Sequence, residues 1–271
     1  MSVNNLCVVV IPIHNENPTK NELRSFKQCF KVLDKHTIKI IAPIDLSLDR
    51  YKEVVNSFET IFIDPIWQSS IEKYNKLKLS SFFYNLFEEF DFLLTYELDA
   101  FVFKDELNEW CKKNYDYIGA PWFLGHTLPI SNEIIGVGNS GFSLRKISVL
   151  RKAINNIYFE EKNFTLQSKK RQIKNKMKKI LFYLNIFRKE NITIQDANHI
   201  NEDWFIAKVI PQYIKNFKIA PIEEAIKFSF EVNPKYLFEM NNNVLPMGCH
   251  AWEKYDFEFW KPFMLDINYD I

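Results

Sequence analysis

The sequence contains little glycine. Only six glycines occur among 271 residues, and none of them precedes residue 119. The loop after the first apolar run, IPIHNENPTK, therefore lacks glycine, which argues against the glycine-rich phosphate loop of nucleotidyltransferases and phosphotransferases. Five of the six glycines lie between Gly119 and Gly141. This stretch is expected to be loop-rich and to line a site, unless its glycines only serve ordinary turns between short strands.

Cysteine is also sparse. The four cysteines (Cys7, Cys29, Cys111 and Cys249) are widely spaced, and no Cys or Cys/His pair has metal-ligand spacing. Such spacing favours reduced thiols in a cytosolic protein. The amino-terminal apolar run is too short for a signal peptide or a membrane span, so we expect a cytoplasmic location.

Neither sign of charge is in excess. Lys and Arg number 35 against 34 Asp and Glu, a balance that gives no support to nucleic-acid binding. Hydrophobic residues make up 47% of the chain, which is enough for a substantial core. The length suits a single α/β domain over residues 1–271, with room for an insertion.

Apolar runs alternate with helix-like segments in the first hundred residues. The predicted strands are 6–14 (LCVVVIPIH), 37–45 (TIKIIAPID), 60–65 (TIFIDP) and 91–103 (DFLLTYELDAFVF). The predicted helices between them are 21–36, 51–58 and 70–90. Such alternation predicts a mainly parallel central sheet with flanking helices.

Polar side chains follow three of these strands. Asn15, Asp45 and Asp99 fall at or just beyond strand ends, and Glu97 precedes Asp99 by two residues. Unpaired carboxylates are costly to bury in a core. Because parallel sheets bind ligands at the carboxyl ends of their strands, we expect these side chains to face a ligand crevice.

Four polar motifs stand out from apolar surroundings: YELDAF, VGNSGFSLR, NEDWF and MGCHAW. Asp99, Glu202 or Asp203, and His250 supply oxygen and imidazole donors that suit a Mg²⁺ or Mn²⁺ ion with room for phosphate oxygens. Each residue type also has a simpler interpretation. Asp99 could cap the next element, the acidic pair could complement a helix dipole, and His250 could be a core histidine.

The order of the motifs resembles that of a family of bacterial and viral glycosyltransferases of the GT-A type. The motifs that carry the resemblance lie between residues 6 and 253: VVVIPI, YELDAFVF, YDYIGAPW, VGNSGFSLR, NEDWF, FSFE and GCHAW. In layout these proteins are similar to β1,4-galactosyltransferase-like enzymes. The resemblance implies a Rossmann-like GT-A fold and hexosyl transfer from a nucleotide-diphosphate sugar, such as a UDP-sugar. The implied acceptor is a glycan or a lipid-linked glycan, in surface polysaccharide or lipopolysaccharide synthesis.

The resemblance also implies roles for individual residues. Asp99 matches the last Asp of an Asp-x-Asp motif, which binds a Mn²⁺ or Mg²⁺ ion bridging the nucleotide diphosphate, and His250 matches the histidine that completes this metal site. Asp203 or Glu202 matches the base of inverting enzymes. The residues implied to bind the donor are Pro12, Ile13, Asn15, Asp45, Glu97, Gly138, Asn139 and Gly141.

The sequence departs from the family pattern at two positions. Glu97 stands where the strict motif has Asp, and Ser140 stands where the signature Gly-Asn-Gly-Gly-Phe-Ser-Leu-Arg has Gly. These departures leave open a protein that binds nucleotide or sugar without turnover. A nucleotidyltransferase or phosphotransferase is a further alternative, although the glycine-free first loop argues against it.

Residues 169–189 form the most basic segment of the chain. They contain nine Lys and Arg and no acid. Apolar residues recur there at helical spacing: Ile173, Met177, Ile180, Leu181 and Leu184. The pattern predicts a basic amphipathic helix within an insertion at about 160–192. The helix could bind the cytoplasmic face of a membrane that contains anionic lipids. It could instead pack its apolar residues on the domain, or mediate self-association.

Overall fold

The computed structural model describes residues 6–159, 169–184, 192–195, 197, 200–267 and 269. Its central sheet has six strands: β1 (Cys7–Pro12), β2 (Thr37–Pro43), β3 (Glu59–Ile63), β4 (Phe92–Tyr96), β6 (Tyr117–Ile118) and β9 (Phe142–Lys146). Their order across the sheet is β3-β2-β1-β4-β9-β6. The first four strands in this order are parallel, and β9 is antiparallel to both of its neighbours. The predicted α/β class with a mainly parallel sheet is confirmed.

Helices cover both faces of this sheet. Those before residue 160 are α1 (Lys20–Val32), α2 (Asp49–Lys52), α3 (Ile71–Lys78), α4 (Ser81–Asn85), α5 (Leu107–Lys113) and α6 (Ile147–Asn156). Phe26 of α1 and Trp110 of α5 belong to the core on one face, whereas Phe83 of α4 and Leu150 of α6 belong to the core on the other. Because both faces are covered, β1 is buried along its whole length, as its continuous apolar run predicts.

The chain reverses its direction of travel across the sheet between β1 and β4. It proceeds outward from β1 to β2 and β3, and then returns to place β4 on the opposite side of β1. Such a switch point opens a crevice at the carboxyl ends of the two strands. Phe142, the first residue of β9, pairs with Tyr96, the last residue of β4. The loop that precedes β9 therefore reaches the same edge of the sheet.

Two small sheets complete the described structure. One contains β10 (Ser229–Phe230), β11 (Gly248–Cys249) and β5 (Phe101–Val102), and the other pairs β7 (Ala120–Phe123) with β8 (Ile134–Gly138). The remaining helices are α7 (Lys169–Tyr183), α8 (Ile192–Gln195), α9 (Glu202–Trp204), α10 (Ile210–Tyr213), α11 (Ile222–Phe228), α12 (Pro234–Met240) and α13 (Phe257–Asp266). A π-helical segment at Phe205–Val209 joins α9 to α10.

The prediction of one strand over 91–103 is wrong. β4 ends at Tyr96, and a turn follows in which the Ala100 amide donates to the Glu97 carbonyl at 2.9 Å. The chain then enters β5, which pairs antiparallel with β11 in a different sheet. The turn moves both carboxylates of the segment out of the buried sheet, where each would need a partner to offset its desolvation.

Two helix predictions also need correction. The predicted helix 70–90 is two helices, because Ser80 begins α4 by accepting a hydrogen bond from the Phe83 amide at 3.2 Å. The predicted helix 51–58 is the short α2, which ends at Lys52. Asn56 and Ser57 follow it closely, and such side chains compete for backbone hydrogen bonds and favour turns.

The basic segment forms a helix, as predicted, over the range of α7. Phe182 is buried against the Tyr158 ring at a centroid distance of 5.2 Å, whereas Met177, Ile180, Leu181 and Leu184 are exposed. The part of the prediction that covers residues 185–189 lies outside the described residues. None of the helices in the described ranges is long and apolar enough to cross a membrane.

Candidate active site

Two carboxylates and one imidazole converge at the carboxyl edge of β4. Glu97 and Asp99 belong to the turn after β4, and His250 directly follows β11, which pairs with β5. One ligand atom from each of the three lies within 4.8 Å of the others. His250 Nε2 is 3.1 Å from Asp99 Oδ1 and 3.8 Å from Glu97 Oε2. We refer to these three residues as the acidic cluster.

Glu231 fixes the orientation of the His250 ring. Its Oε1 lies 2.9 Å from His250 Nδ1, so the second ring nitrogen, Nε2, faces Asp99 and Glu97. Carboxylate–histidine pairs of this kind orient metal-ligating imidazoles in many proteins. Gly141 makes room for the ring, because a Cβ there would lie 2.1 Å from His250 ring atoms.

The acidic cluster stabilises an additional positive charge. Burial alone would lower the pKa of His250, but the Asp99 carboxylate, together with Glu231 and Glu97, raises this pKa well above its ordinary value. A proton on the His250 imidazole is one such charge. Two carboxylates and an imidazole are also a donor set that suits Mg²⁺ or Mn²⁺. The residues therefore fit a divalent cation.

Glu97 is held as a carboxylate by its neighbours. Its Oε1 accepts hydrogen bonds from the Tyr74 hydroxyl at 3.1 Å, the Lys78 ammonium at 3.1 Å and the Ser140 hydroxyl at 3.2 Å. Burial alone would raise the pKa of Glu97, but the charges of Lys78 and His250 hold it well below its ordinary value.

Glu202 and Arg145 form a fully buried ion pair beneath the site. Glu202, the first residue of α9, pairs with Arg145 of β9 and lies 3.3 Å from Lys78 Nζ. Arg145 also donates to the Ser143 hydroxyl at 3.0 Å and to the Ser140 carbonyl at 3.2 Å. Glu202 thus has no exposed surface and faces two cations inside the protein.

Asp203 lies beside Glu202 but in a different environment. It is half-buried, and its carboxylate accepts a hydrogen bond from the Trp204 amide at 2.7 Å. Burial and the neighbouring charge of Glu202 raise the pKa of Asp203 to about 6. The charge of Lys78 lowers this pKa and the charge of Glu231 raises it, each with a smaller effect. Asp203 therefore keeps its proton to a higher pH than an ordinary aspartate does. Its neighbour Trp204 is 43% exposed.

The glycine-rich loop is fixed between β8 and β9. Asn139 has a positive φ of 97°, and its Oδ1 accepts from the Phe142 amide at 3.1 Å. A Cβ at Gly138 would lie 1.8 Å from the Trp122 indole. The Gly141 carbonyl accepts from the Glu97 amide at 2.8 Å. The loop is therefore hydrogen-bonded directly to the turn that carries the acidic cluster.

The residues predicted to bind a nucleotide lie along the same edge. Pro12 ends β1, and Ile13 is fully buried with its amide bonded to the Ile41 carbonyl at 2.8 Å. Asn15 is exposed in a turn closed by the Asn17 amide, and Asp45 is exposed after β2 with a φ of 68°. None of these four belongs to the acidic cluster of the described structure.

Sequence reasoning assigned no role to four residues around the cluster. Lys78 reads as an ordinary helix lysine and Tyr74 carries no local signal, whereas Arg145 ends the VGNSGFSLR motif but has no role assigned to it there. Glu231 could have been noticed in the sequence, because it directly follows the apolar FSF segment. Glu97 follows the apolar residues of β4 in the same way. All four depend on contacts between residues far apart in the chain, and a single sequence does not show these.

The fold and the cluster define an α/β protein with a candidate cation site at the switch point of its sheet. The chain belongs to the family described as a protein of unknown function (DUF5672), whose model matches residues 57–250. No curated protein matches the chain.

Several solved glycosyltransferase structures are similar to the chain. The apo form of GlyE from Streptococcus pneumoniae TIGR4 has a TM-score of 0.48 at 11% identity. The match covers 96% of this chain and 60% of that one, so the chain spans about three fifths of GlyE. Mouse xyloside xylosyltransferase 1 has a TM-score of 0.47 at 10% identity, with 89% and 96% covered. The galactosyltransferase LgtC with donor and acceptor sugar analogs scores 0.44 at 12% identity, with 97% of both chains covered. At these scores the likeness assigns no activity to this chain.

The environment of His250 predicts a measurable titration. Because the Asp99 carboxylate stabilises the imidazolium, His250 should keep its proton as pH rises above the free-histidine pKa of about 6.5. Asp99→Asn should lower the pKa of His250, since it removes the largest favourable charge. Histidine-selective ¹⁵N NMR titration of both proteins measures this, with the other four histidines as internal references. A His250 pKa at or below 6.5 in the native chain would contradict this account of the cluster.

Proposed function

We propose that the chain is a metal-dependent glycosyltransferase. It would move a sugar from a nucleotide-diphosphate donor, such as a UDP-sugar, to a hydroxyl of a glycan or lipid-linked glycan. The observation that carries this proposal is the acidic cluster at the switch point. The proposal adds the separate carboxylate of Asp203, whose raised pKa suits a base. The resemblance of the sequence motifs to those of glycosyltransferases supports the same conclusion. The proposed enzyme would act in surface polysaccharide or lipopolysaccharide synthesis.

The donor diphosphate would bind at the carboxyl edge of β1 and β4. Asp99, Glu97 and His250 would hold Mn²⁺ or Mg²⁺, and a bound divalent ion neutralises the charge of a departing nucleoside diphosphate. The loops after β1 and β2, with Pro12, Ile13, Asn15 and Asp45, would line the nucleoside part of the site. The loop that contains Gly138, Asn139 and Gly141 would bound the sugar site from the protein side, because Trp122 and the His250 ring occupy the space beside Gly138 and Gly141.

Asp203 is the general base in this proposal. With a pKa of about 6 it is ionised at neutral pH and still basic enough to take a proton from an acceptor hydroxyl. Attack by that hydroxyl on the anomeric carbon, on the face opposite the departing diphosphate, inverts the configuration. Glu202 is unsuited to this task, because its carboxylate is already engaged by Arg145 and Lys78. Its charge contributes by raising the pKa of Asp203.

A panel of nucleotide sugars tests the proposal directly. The full chain is incubated with UDP-, GDP-, CMP- and dTDP-sugars and Mn²⁺, and release of the nucleotide is followed. We expect slow hydrolysis of one donor that EDTA abolishes and that Asp99→Asn abolishes. Tight binding of a nucleotide without hydrolysis or transfer would indicate a non-catalytic binding protein. Release of pyrophosphate would indicate a nucleotidyltransferase.

Asp203→Asn should lower turnover by about 100- to 10,000-fold, the range typical of general-base removal. Donor affinity should change little, because the base acts on the acceptor hydroxyl. In the native enzyme, kcat should fall with decreasing pH as Asp203 is protonated, to about one tenth of its plateau at pH 5. Steady-state kinetics between pH 5 and pH 8 measure both effects.

Two other variants serve as controls for Asp203. Glu258→Gln removes an exposed carboxylate of α13 and should leave turnover unchanged. Glu202→Gln weakens the buried pair with Arg145 and should lower the melting temperature, whereas Asp203→Asn should not, since the native carboxylate is disfavoured by burial. Near-native turnover of Asp203→Asn would reject it as the base.

We further propose that α7 binds the cytoplasmic face of a membrane that contains anionic lipids. Phe182 anchors the helix to Tyr158, and the exposed apolar residues lie away from this anchor: Met177, Ile180, Leu181 and Leu184. Lys176, Lys178 and Lys179 of the same helix are exposed, and Lys179 Nζ also lies 5.9 Å from the centroid of the Tyr158 ring. Each such lysine contributes about 1 kcal/mol near an anionic surface. A peripheral position would suit an enzyme that extends lipid-linked glycans.

Co-sedimentation with vesicles tests the role of α7. The chain should bind vesicles containing phosphatidylglycerol at low salt, and binding should weaken at high salt. The triple variant of Lys176, Lys178 and Lys179→Glu should lose binding. The matched control changes the exposed Lys27, Lys52 and Lys235→Glu, which alters net charge equally, and should bind normally. Absence of binding to anionic vesicles at low salt would rule the proposal out.

A further inference from the structure

One oxygen of the Glu97 carboxylate is engaged by three donors. The Tyr74 hydroxyl, the Lys78 ammonium and the Ser140 hydroxyl all lie 3.1–3.2 Å from Oε1. The other oxygen, Oε2, faces His250 Nε2 at 3.8 Å. The two oxygens of the Glu97 carboxylate therefore have different environments. Oε1 is hydrogen-bonded inside the protein, and Oε2 faces His250.

The three donors are themselves fixed. Lys78 is 2% exposed at the end of α3, and it lies between Glu97 and Glu202 with the Tyr74 ring at 3.9 Å. The Ser140 hydroxyl contacts Lys78 as well as Glu97. The backbone carbonyl of Ser140 accepts from Arg145 at 3.2 Å and from the Ser143 hydroxyl at 3.1 Å. The three donors are thus held in fixed positions around Glu97 Oε1.

We infer that Tyr74, Lys78 and Ser140 are positioning residues which present Glu97 to a divalent cation through Oε2 alone. A carboxylate oxygen has about two lone-pair sites, so three donors saturate Oε1. Rotation of the carboxylate would break all three bonds at once. Glu97 is therefore a monodentate ligand with a fixed direction, whereas Asp99, whose side chain is 48% exposed, pairs only through Oδ1 with His250 Nε2 among the contacts described for the cluster.

The inference rests on the proposed metal site and adds residues that do not touch the metal. Partners that orient a metal ligand typically change affinity about 10- to 100-fold when they are removed. Each of the three donors supplies only part of the constraint on Glu97. Loss of one hydroxyl is therefore expected to weaken metal binding about tenfold, at the low end of that range.

Tyr74→Phe and Ser140→Ala each remove one hydroxyl donor and leave Lys78 between its two carboxylates. Mn²⁺ affinity is measured for the full chain by the EPR signal of free Mn²⁺, with and without UDP. Both variants should bind Mn²⁺ about tenfold more weakly than the native chain. Tyr269→Phe is the matched control, because the Tyr269 hydroxyl donates to Gln28 Oε1 at 3.0 Å and not to Glu97. It should bind normally.

Two further outcomes separate this inference from the proposed function. If the native chain binds Mn²⁺ but Tyr74→Phe and Ser140→Ala bind equally tightly, the positioning role is overturned and the metal site stands. If the native chain does not bind Mn²⁺ with or without UDP, the metal site fails and the positioning role fails with it. Melting temperatures of all variants accompany the titrations, so that lost binding in an unfolded variant is not counted as support.

Discussion

The ion pair between Arg145 and Glu202 is the interaction on which the rest of the site depends. Both side chains are fully buried, so each needs the other to offset the loss of water. Arg145 belongs to β9 and Glu202 begins α9, so the pair connects the central sheet to the segment that carries Asp203. Removing one partner of such a pair typically costs about 3–5 kcal/mol, because the other charge is left buried and alone.

Lys78 extends this pair toward the acidic cluster. Its ammonium lies 3.3 Å from Glu202 and 3.1 Å from Glu97, so one buried cation serves two carboxylates. The helix that carries Lys78 also contributes Tyr74 to Glu97 and Asn75 to the Glu202 amide, at 3.1 and 3.2 Å. A continuous series of ion pairs therefore connects Arg145 of the sheet, through Glu202 and Lys78 of α3, to Glu97 at the end of β4. This chain of contacts explains why a strand with no cation of its own can end in carboxylates.

Much of the fold follows from local pattern. The buried runs at β1 to β4 and the helical segments between them predict the parallel sheet and place Asp99 at its carboxyl edge. The turn at Glu97–Ala100 was missed, because an apolar run on both sides of two carboxylates reads as one strand. The helix break at Ser80 was missed for a similar reason, since helical spacing continues across it. In both places a tertiary contact or a capping side chain overrides the periodic pattern.

Less of the site could be predicted. Glu97, Asp99 and His250 were all singled out, and the structure brings them together. Tyr74, Lys78 and Glu231 were not assigned a role, because each acts only through a partner that is distant in sequence. Glu97 and Ser140, the two departures from the family pattern, are in direct contact at 3.2 Å. In the sequence they stood as separate departures that counted against turnover. In the structure they form one hydrogen-bonded unit.

We propose that Glu97, Asp99 and His250 bind a divalent cation together with a nucleoside diphosphate. The most direct measurement is a crystal structure of the full chain soaked with Mn²⁺ and UDP, with anomalous scattering used to locate manganese. We expect an anomalous peak within coordination distance of Asp99, His250 Nε2 and Glu97 Oε2, with diphosphate oxygens completing the shell. Diphosphate bound elsewhere, or a crevice in which His250 still pairs with Asp99 and no manganese is present, would contradict it.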